Sequence, residues 1–553
     1  MKVLPESTQV LIVGAGPTGL ALGINLRRYG VDCLVVDRLP APLPGSRALG
    51  LNARSQELLE SMGVMADINA AGNLHQTLCL HNEKGRLAEI DLTRIESRFA
   101  GALVLPQETL EDILSARFTA LGGQLFRGCE LSGFSQRDEQ VFAHLLCNDP
   151  DQDQEGERTV SASLMVGCDG AHSFVRQQLG FSFDGVRYPD HFLLCDTHID
   201  WALPNDCSHA FLLPEGALLA LPMNGGWRLM INQPLQRDTR MESLSMAPFR
   251  QRLAQALGEA PALAEPDWIS GFSIHRRLVS RYRLNRVLLA GDACHIQNPV
   301  GAQGMNTGIA DACNLGWKIA LFLDGVGGGE LLDSYEAERR PVARQMLAGV
   351  DLLSRGLLSR AGLLRGARDS LLKALDGRPR LAARLLRRAS QVDVHYRESA
   401  LIMESAGGGR SRAPRAGDRL PTAPLVAAGS NGARRDVQQL LDDTRHQMLL
   451  VLPVVPDHAA LVSAFALCDR LPQEYGHHLR VNVVVQGAQT PELAELREFD
   501  VDLYEPGDER LQTVFTESGG LWVVRPDGHI GFHGELDAAT ECLSWLRQFF
   551  RRR

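Results

Sequence analysis

Short apolar runs alternate with amphipathic stretches along this chain, and their order defines its elements. Val10 to Val13 is apolar and short enough for a buried strand. Pro17 to Arg28 follows with helical periodicity, placing Leu20, Ile24 and Leu26 on one side, and Gly30 can stop it. Cys33 to Val36 is a second apolar run, ending on Asp37. Asn52 to Met62 reads as an amphipathic helix, and Thr77 to Leu92 alternates as hairpin strands do. Leu103 onward predicts strand, turn and helix. Further alternation reaches Arg158, broken by the acidic stretch Asp149 to Glu157, which suits a solvated hairpin tip. Leu164 to Gly180 again predicts strand, tight Asp-Gly turn and helix. Strands dominate from Phe192 to Ile231, with Asn224-Gly225-Gly226 as a hairpin turn. Ala247 to Leu257 is helical. Val287 to Ala290 is a buried strand, and a long helix starting near Met305 carries Ile309, Ala312, Leu315, Ile319 and Phe322 inward. Val342 to Ser390 is helical and rich in Leu and Arg. Ala406 to Gly417 has the Gly/Arg-rich composition of a linker. Beyond it lie two apolar strands around a helix from His458, a hairpin turning at Asp527-Gly528, and a closing helix, Ala538 to Phe550.

The turn between the first strand and the first helix contains Gly14, Gly16 and Gly19 in the spacing G-x-G-x-x-G. That spacing alone is weak, because glycine marks ordinary turns too. Here the strand, helix, second strand and terminal acid complete a dinucleotide-binding βαβ unit. Gly14 allows the tight turn. Gly16, without a Cβ, lets a pyrophosphate lie against the backbone, and Gly19 lets helix and strand pack closely. The helix start, Thr18 among its first residues, offers N–H groups to phosphate. Asp37 can accept from a ribose hydroxyl.

With 553 residues the chain is too long for one core, so two to four domains are expected. A net charge of −9 disfavours nucleic acid as a partner. Val10 to Leu26 carries glycines through its middle and lacks a basic lead and a cleavage site, so neither a signal peptide nor a membrane anchor is expected. Eleven cysteines, with no C-x-x-C and no cluster at ligand spacing, suggest reduced thiols in the cytoplasm and no metal. Arg47 and Arg54 read as solvated charges, with Arg47 the one placed to meet a cofactor. Gln107, just ahead of a helix, is either a helix-start residue or a cofactor contact.

GAGPTGL at Gly14, CDGAHSFVR at Cys168, AGDACHIQNPVGAQGMNTGIADACNLGWKIA at Ala290 and YEAERRPVA at Tyr335 occur in this order. Together they resemble the single-component FAD-dependent aromatic hydroxylases, in the branch of phenol, hydroxyphenylpropionate and polyketide hydroxylases. The resemblance covers roughly residues 5 to 400. The region after Arg415 resembles the thioredoxin-like domain some of these enzymes carry, without the redox cysteine pair.

The resemblance implies an α/β fold: a Rossmann-like FAD-binding domain over 1–182, with interleaved strands over 77–105. A mainly β substrate domain would span 183–280, and the FAD-binding domain would continue with a helical segment over 281–404. A linker over 405–417 and a thioredoxin-like domain over 418–553 would follow. It implies that Gly14, Gly16, Pro17, Thr18, Gly19, Asp37, Arg38, Arg47 and Gln107 bind FAD. Asp169 and Gly170 would lie near its pyrophosphate and the NAD(P)H path, and Gly291 and Asp292 would hold its ribityl chain. The loop Pro299, Gly301, Gln303 and Gly304, leading into Met305 and Asn306, would lie against the flavin ring and form the catalytic surface. Gly301-Ala302 stands where relatives often have two glycines.

The implied reaction uses NADPH or NADH, FAD and O2, and hydroxylates a phenolic or polyketide-like aromatic through an FAD C4a-hydroperoxide. His209, His275 and His295 are candidate bases. The small aromatic substrate is the expected partner, with neither nucleic acid nor membrane, and a homodimer is compatible. An epoxidase on the same fold and a non-enzymatic NAD(P)-binding regulator are the alternatives. Absence of a W-x-W-x-I-P stretch disfavours a halogenase.

Overall fold

In the computed structural model, β1 (Ser7–Val13), α1 (Pro17–Arg28) and β2 (Cys33–Asp37) form the expected parallel unit. The structure describes residues 3–43, 45, 48–148, 155–234, 244–297, 303–358, 362–376, 378–406, 413–428, 433–487 and 490–550. Val10 to Ile12 and Leu20 to Ile24 are almost wholly buried. Each such aliphatic side chain contributes about 1.5–3 kcal/mol, so the unit is anchored by its own apolar pattern. The first sheet runs Arg283–Leu284, Val287–Leu289, Glu155–Gly167, β1, β2, Gln124–Arg127. Its strands from Val287–Leu289 to Gln124–Arg127 are parallel. Two antiparallel strands, Gln140–Asn148 and Cys129–Arg137, extend it. Cys129 and Cys147 face each other across that pair and are joined by a disulfide. The expectation of uniformly reduced thiols is therefore corrected: register brings together two cysteines that are not close in sequence.

The second sheet holds Trp268–Val279, Phe183–Thr197, Gly226–Pro234, Gly216–Met223 and Cys207–Leu213. The hairpin Thr77–Asn82/Gly85–Asp91 joins it by parallel pairing to Cys207–Leu213, although it lies in the part of the chain that builds the first sheet. One face is covered by the helix Ala247–Leu257, through Phe211, Trp227, Leu229, Phe249 and Leu253. The other collects Phe192, Leu194, Met230 and Phe272, with Leu358 packed against them. Asn224 to Gly226 makes the expected turn, with Gly225 at φ +92°.

The C-terminal sheet runs Met403–Glu404, Ile530–Gly534, Gly520–Val524, His446–Leu452, Leu479–Val485, Asp502–Pro506, Pro424–Ala427, Arg434–Asp436. The parallel pair His446–Leu452 and Leu479–Val485 is joined by the helix His458–Tyr475. This sheet shares a core with the rest of the chain: Trp317, Leu321, Val326 and Leu331 pack with Met448, Leu450 and Trp545. The expected linker over 405–417 is also corrected in its described part. Ala413 and Ala416 are buried, and Gly417 N–H donates to Ile530 O at 2.6 Å. Residues 407–412 lie outside the described residues.

Arg54, read as a solvated charge, is buried. It donates to Glu57 at 3.0 Å and to the Asp527 carbonyl in the terminal hairpin turn. Glu57 also accepts from Arg419 at 2.9 Å. A second buried network joins the long helix Gly304–Leu323 and the helix Gly329–Leu357 to the same hairpin. Arg525 donates to both oxygens of Glu338 at 2.8 Å, and Lys318 donates to Glu338 at 2.8 Å. Asn314 bridges Glu338 at 2.7 Å and Asp527 at 2.9 Å. Two cations and two carboxylates balance, which is the condition for burying charge.

Candidate functional site: a crevice at the strand ends

Val13, Gly167 and Leu289 lie level at the carboxyl ends of three adjacent parallel strands. The chain leaves them through Gly14–Gly16, Cys168–Gly170 and Gly291–Ala293. Sheet order reverses at β1, with β2 on one side and Glu155–Gly167 on the other, so this is where an open α/β sheet leaves a ligand crevice. Gly14 has φ +109°, and a Cβ there would stand 2.3 Å from the Cys168 carbonyl oxygen. At Gly19 it would stand 2.0 Å from the Gly14 carbonyl oxygen. At Gly16 it would meet nothing within 4 Å. The first and third glycines are thus dictated by packing, while the second faces open space. Gly16 caps α1 without any side-chain hydrogen bond, and Pro17 takes the first helical position. That leaves the positive end of α1 directed at the space.

The acid closing β2 is held in place rather than loose. Asp37 accepts from Ala15 N at 2.6 Å and Leu39 N at 2.8 Å, and neighbouring Arg38 is exposed. Thr18 wedges between two glycines: a Cβ on Gly291 or Gly308 would stand 2.6 or 2.2 Å from its Oγ1. This contact brings together the start of α1, the Gly291 turn and the Gly304–Leu323 helix. Asp292 is exposed in that turn. Asp169 accepts from Val175 N at 3.0 Å, while its Oδ1 is buried with no hydrogen-bond partner among the described residues. Burial raises its carboxyl above the usual range. Gly170 turns the chain at φ +78°.

Side chains that sequence reading did not single out hold these turns together. Arg176 donates to Ala293 O and to Ala171 O, both at 3.0 Å, so it ties the Asp169 turn to the Asp292 turn. Asp311 accepts from Gly291 N at 3.2 Å, His295 Nε2 at 2.7 Å and Arg339 Nε at 2.6 Å. Burial pushes the Asp311 carboxyl up, but Arg339 and His295 outweigh it and hold it below the usual range. Arg176, Asp311 and Arg339 stand inside the quoted motifs, so the signal was present. What sequence lacked was the pairing.

Other expected residues take different partners. Gln107 turns to Glu111, donating at 2.7 Å. Asn306 is buried and spends its amide on Gly50 O at 2.9 Å and Asn52 N at 3.0 Å, which anchors the Ala53–Ser61 helix. Its side chain therefore has a packing role at the start of that helix. Gln303 and Gly304 open the long helix, half-buried and followed by Met305. Arg47, Pro299 and Gly301, like Ala302, lie outside the described residues. Of the candidate bases, His295 is buried against Asp311, and His209 is buried in the second sheet, its Nε2 3.1 Å from Pro204 O. His275 is half-buried opposite Arg187. The second sheet also brings Cys79, His81 and His209 together, with ligand atoms within 4.8 Å of one another. No sequence spacing announces this group, because it is assembled by strand pairing.

The open position at Gly16, the uncapped start of α1 and the partnerless Asp169 oxygen fit a large phosphorylated cofactor with hydroxyl donors. Residues 7–350 match the family model described as "FAD binding domain". The chain belongs to this family of FAD-binding proteins. It is 31% identical to 6-methylpretetramide 4-monooxygenase of Streptomyces rimosus, over 98% of this chain and 93% of that protein. It is 29% identical to pentachlorophenol 4-monooxygenase of Sphingobium chlorophenolicum, over 96% and 94% of the two chains. Among solved structures, an anhydrotetracycline hydroxylase from Streptomyces rimosus superposes with a TM-score of 0.75 at 28% identity, covering 98% of this chain and 99% of that one. The protein is a flavin-dependent monooxygenase using FAD and O2. No helix among the described residues is long and apolar enough to cross a membrane.

Proposed function

We propose that this enzyme hydroxylates a phenolic or polyketide-like aromatic at the expense of NADPH or NADH. The observation that carries the reading is the crevice at Gly14–Gly16, Asp169–Gly170 and Gly291–Asp292, whose last turn runs on through His295–Ile296 into the second sheet, where Phe192, Leu194, Met230 and Phe272 form an apolar cluster. Names of relatives support the substrate class: one acts on 6-methylpretetramide and another on pentachlorophenol.

When bound, FAD supplies the O2 activation that no side chain can perform. The chain's own residues bind and orient. In this reading the start of α1 and the Gly14–Gly16 turn take the pyrophosphate, Asp37 and Arg38 the adenosine end, and Asp292 the ribityl hydroxyls. Gln107 and Arg47 are secondary contacts. Pro299, Gly301, Gln303 and Gly304 border the flavin ring, where the positive end of the 20-residue helix Gly304–Leu323 favours negative charge. The apolar sheet face aims an aromatic ring and excludes water. No side chain is assigned as a base.

The C-terminal sheet is read as thioredoxin-like in arrangement, with a structural role and without disulfide chemistry. Cys468 and Cys542 sit on separate helices, and burial pushes both thiols up to about 12. The reading also includes a cytoplasmic location and leaves room for a homodimer.

The test is a panel of phenols and polyketide-like aromatics, scored by substrate-stimulated NADH or NADPH oxidation with product mass. A product one oxygen atom heavier is expected. Oxidation of NAD(P)H that no aromatic stimulates would overturn the reading. Asp292→Ala should yield folded protein with little FAD, because a charge-assisted hydrogen bond of this kind is worth about 1.5–3 kcal/mol. Full flavin occupancy in that variant would remove Asp292 from the site.

A further inference from the structure

The strands Thr77–Asn82 and Cys207–Leu213 are parallel neighbours, and His209 lies opposite Cys79. Each carries a Cys-x-His step: Cys79 with His81, and Cys207 with His209. Side chains two apart on a strand share a face, so parallel pairing gathers all four donors on one side of the sheet. It is the side on which Phe211 and Trp227 pack under the helix Ala247–Leu257, away from the face of Phe192 and Met230. Cys79, Cys207 and His209 are buried and His81 is half-buried.

The distances suit a four-coordinate ion. His81 Nε2 lies 3.3 Å from His209 Nδ1, and Cys79 Sγ lies 3.9 Å from Cys207 Sγ. Zinc–nitrogen bonds of the usual length give a tetrahedral edge of about 3.3 Å for N···N. The ring of His209 is oriented as a ligand's would be. Its Nε2 lies 3.1 Å from the Pro204 carbonyl, which can only accept, so Nε2 carries the proton and Nδ1 presents its lone pair toward His81. Without a metal, His81 would donate to His209. In that state Cys79 donates to Cys207 Sγ, which itself lies 3.3 Å from His209 Nε2.

We propose that Cys79, His81 and His209 bind a divalent zinc ion, with the fourth position left to solvent. Binding displaces the Cys79 thiol proton to solvent. Cys207 Sγ, 3.3 Å from His209 Nε2, sits beside that N–H and helps hold the ring. The site clamps the hairpin Thr77–Asp91 to its neighbouring strand Cys207–Leu213 and takes no part in oxygen transfer.

The experiment uses the full-length, FAD-loaded enzyme, dialysed against a chelator, given Zn2+ and passed through gel filtration. Metal content is then measured by mass spectrometry. Wild type should retain one zinc per chain, as should Cys33→Ser, a control at a buried cysteine in the first sheet. Cys79→Ser and His81→Gln should lose it while keeping substrate-stimulated NAD(P)H oxidation. Co2+ in place of zinc should give tetrahedral d–d absorption to the red of the flavin bands, and this reports on wild type even if a variant fails to fold. No zinc in wild type, equal zinc in wild type and His81→Gln, or no tetrahedral cobalt spectrum would each overturn the proposal.

Discussion

Two parallel βαβ units in this chain differ at a single kind of position, the start of the helix. In the first, α1 begins at Gly16, which has no side chain to cap it. In the second, between His446–Leu452 and Leu479–Val485, the helix His458–Tyr475 begins at Asp457, whose carboxylate accepts from Ala460 N at 2.7 Å. Both units bury their strands and one face of their helix. The first leaves N–H groups for a phosphorylated ligand, and the second satisfies one internally. On the proposed reading the same supersecondary unit serves as a cofactor cradle in one place and as framework in the other. Framework is an apt word for the second, because its sheet is locked to the first region through Arg525, Glu338, Lys318 and Asp527.

The largest effect should come from breaking that lock. Arg525→Met leaves Glu338 with Lys318 alone and Asp527 without its cation, and breaking a buried pair costs about 3–5 kcal/mol. Urea unfolding should show a loss of this size. A loss below about 1 kcal/mol would place the network among surface-type ion pairs instead.

Gly16→Val attacks the cradle without touching the packing, since no neighbour lies within 4 Å of the new Cβ. FAD binding should weaken about 100-fold, or roughly 2.8 kcal/mol. The melting temperature of flavin-free protein should hardly change. Fluorescence titration with FAD separates the two, and unchanged affinity would show that the open space is not the pyrophosphate site.

Acid should loosen the second unit through its histidines. Burial lowers His446 to about 3 and His529 to about 4. Their folded values lie below the unfolded value of about 6.5, so as pH falls the unfolded chain takes protons first. Their contribution is therefore complete above about pH 6.5 and is lost as pH falls toward 4 and 3, by up to about 1.4 kcal/mol per pH unit for each. His446→Phe, in a pocket already lined by Trp317, Phe549 and Phe550, should flatten the loss of melting temperature between pH 6.5 and 4.5. An unchanged pH profile would show that His446 does not titrate on unfolding.

The smallest effect distinguishes the two helix starts directly. Asp457→Ala should cost about 1 kcal/mol of stability and leave FAD affinity untouched. Any loss of flavin binding in this variant would mean that the second unit is coupled to the first by more than packing.

Much of the cofactor crevice was legible in order along the chain, because its demands are local. A tight turn, a helix start and an acid at a strand end each depend on residues a few positions apart, and Gly14, Gly16, Gly19 and Asp37 state them openly. The apolar periods that define Pro17–Arg28, Ala247–Leu257 and His458–Tyr475 are local in the same way. Residues whose roles depend on a distant partner were not legible. Arg54 read as a surface charge and proved to be a buried clasp on the Asp527 turn. Asn306 stands in a cofactor motif yet spends its amide on Gly50 and Asn52. Arg176 and Asp311 were visible in motifs, but their task of joining the Asp169, Gly291 and Asp292 turns was not. Cys129 meets Cys147, and Cys79 and His81 meet His209, only because strand register places them side by side. Hydrophobic periodicity records which face of an element turns inward. The partner that a buried polar group meets there is set by how whole sheets are paired and packed, and that was decided by the tertiary structure alone.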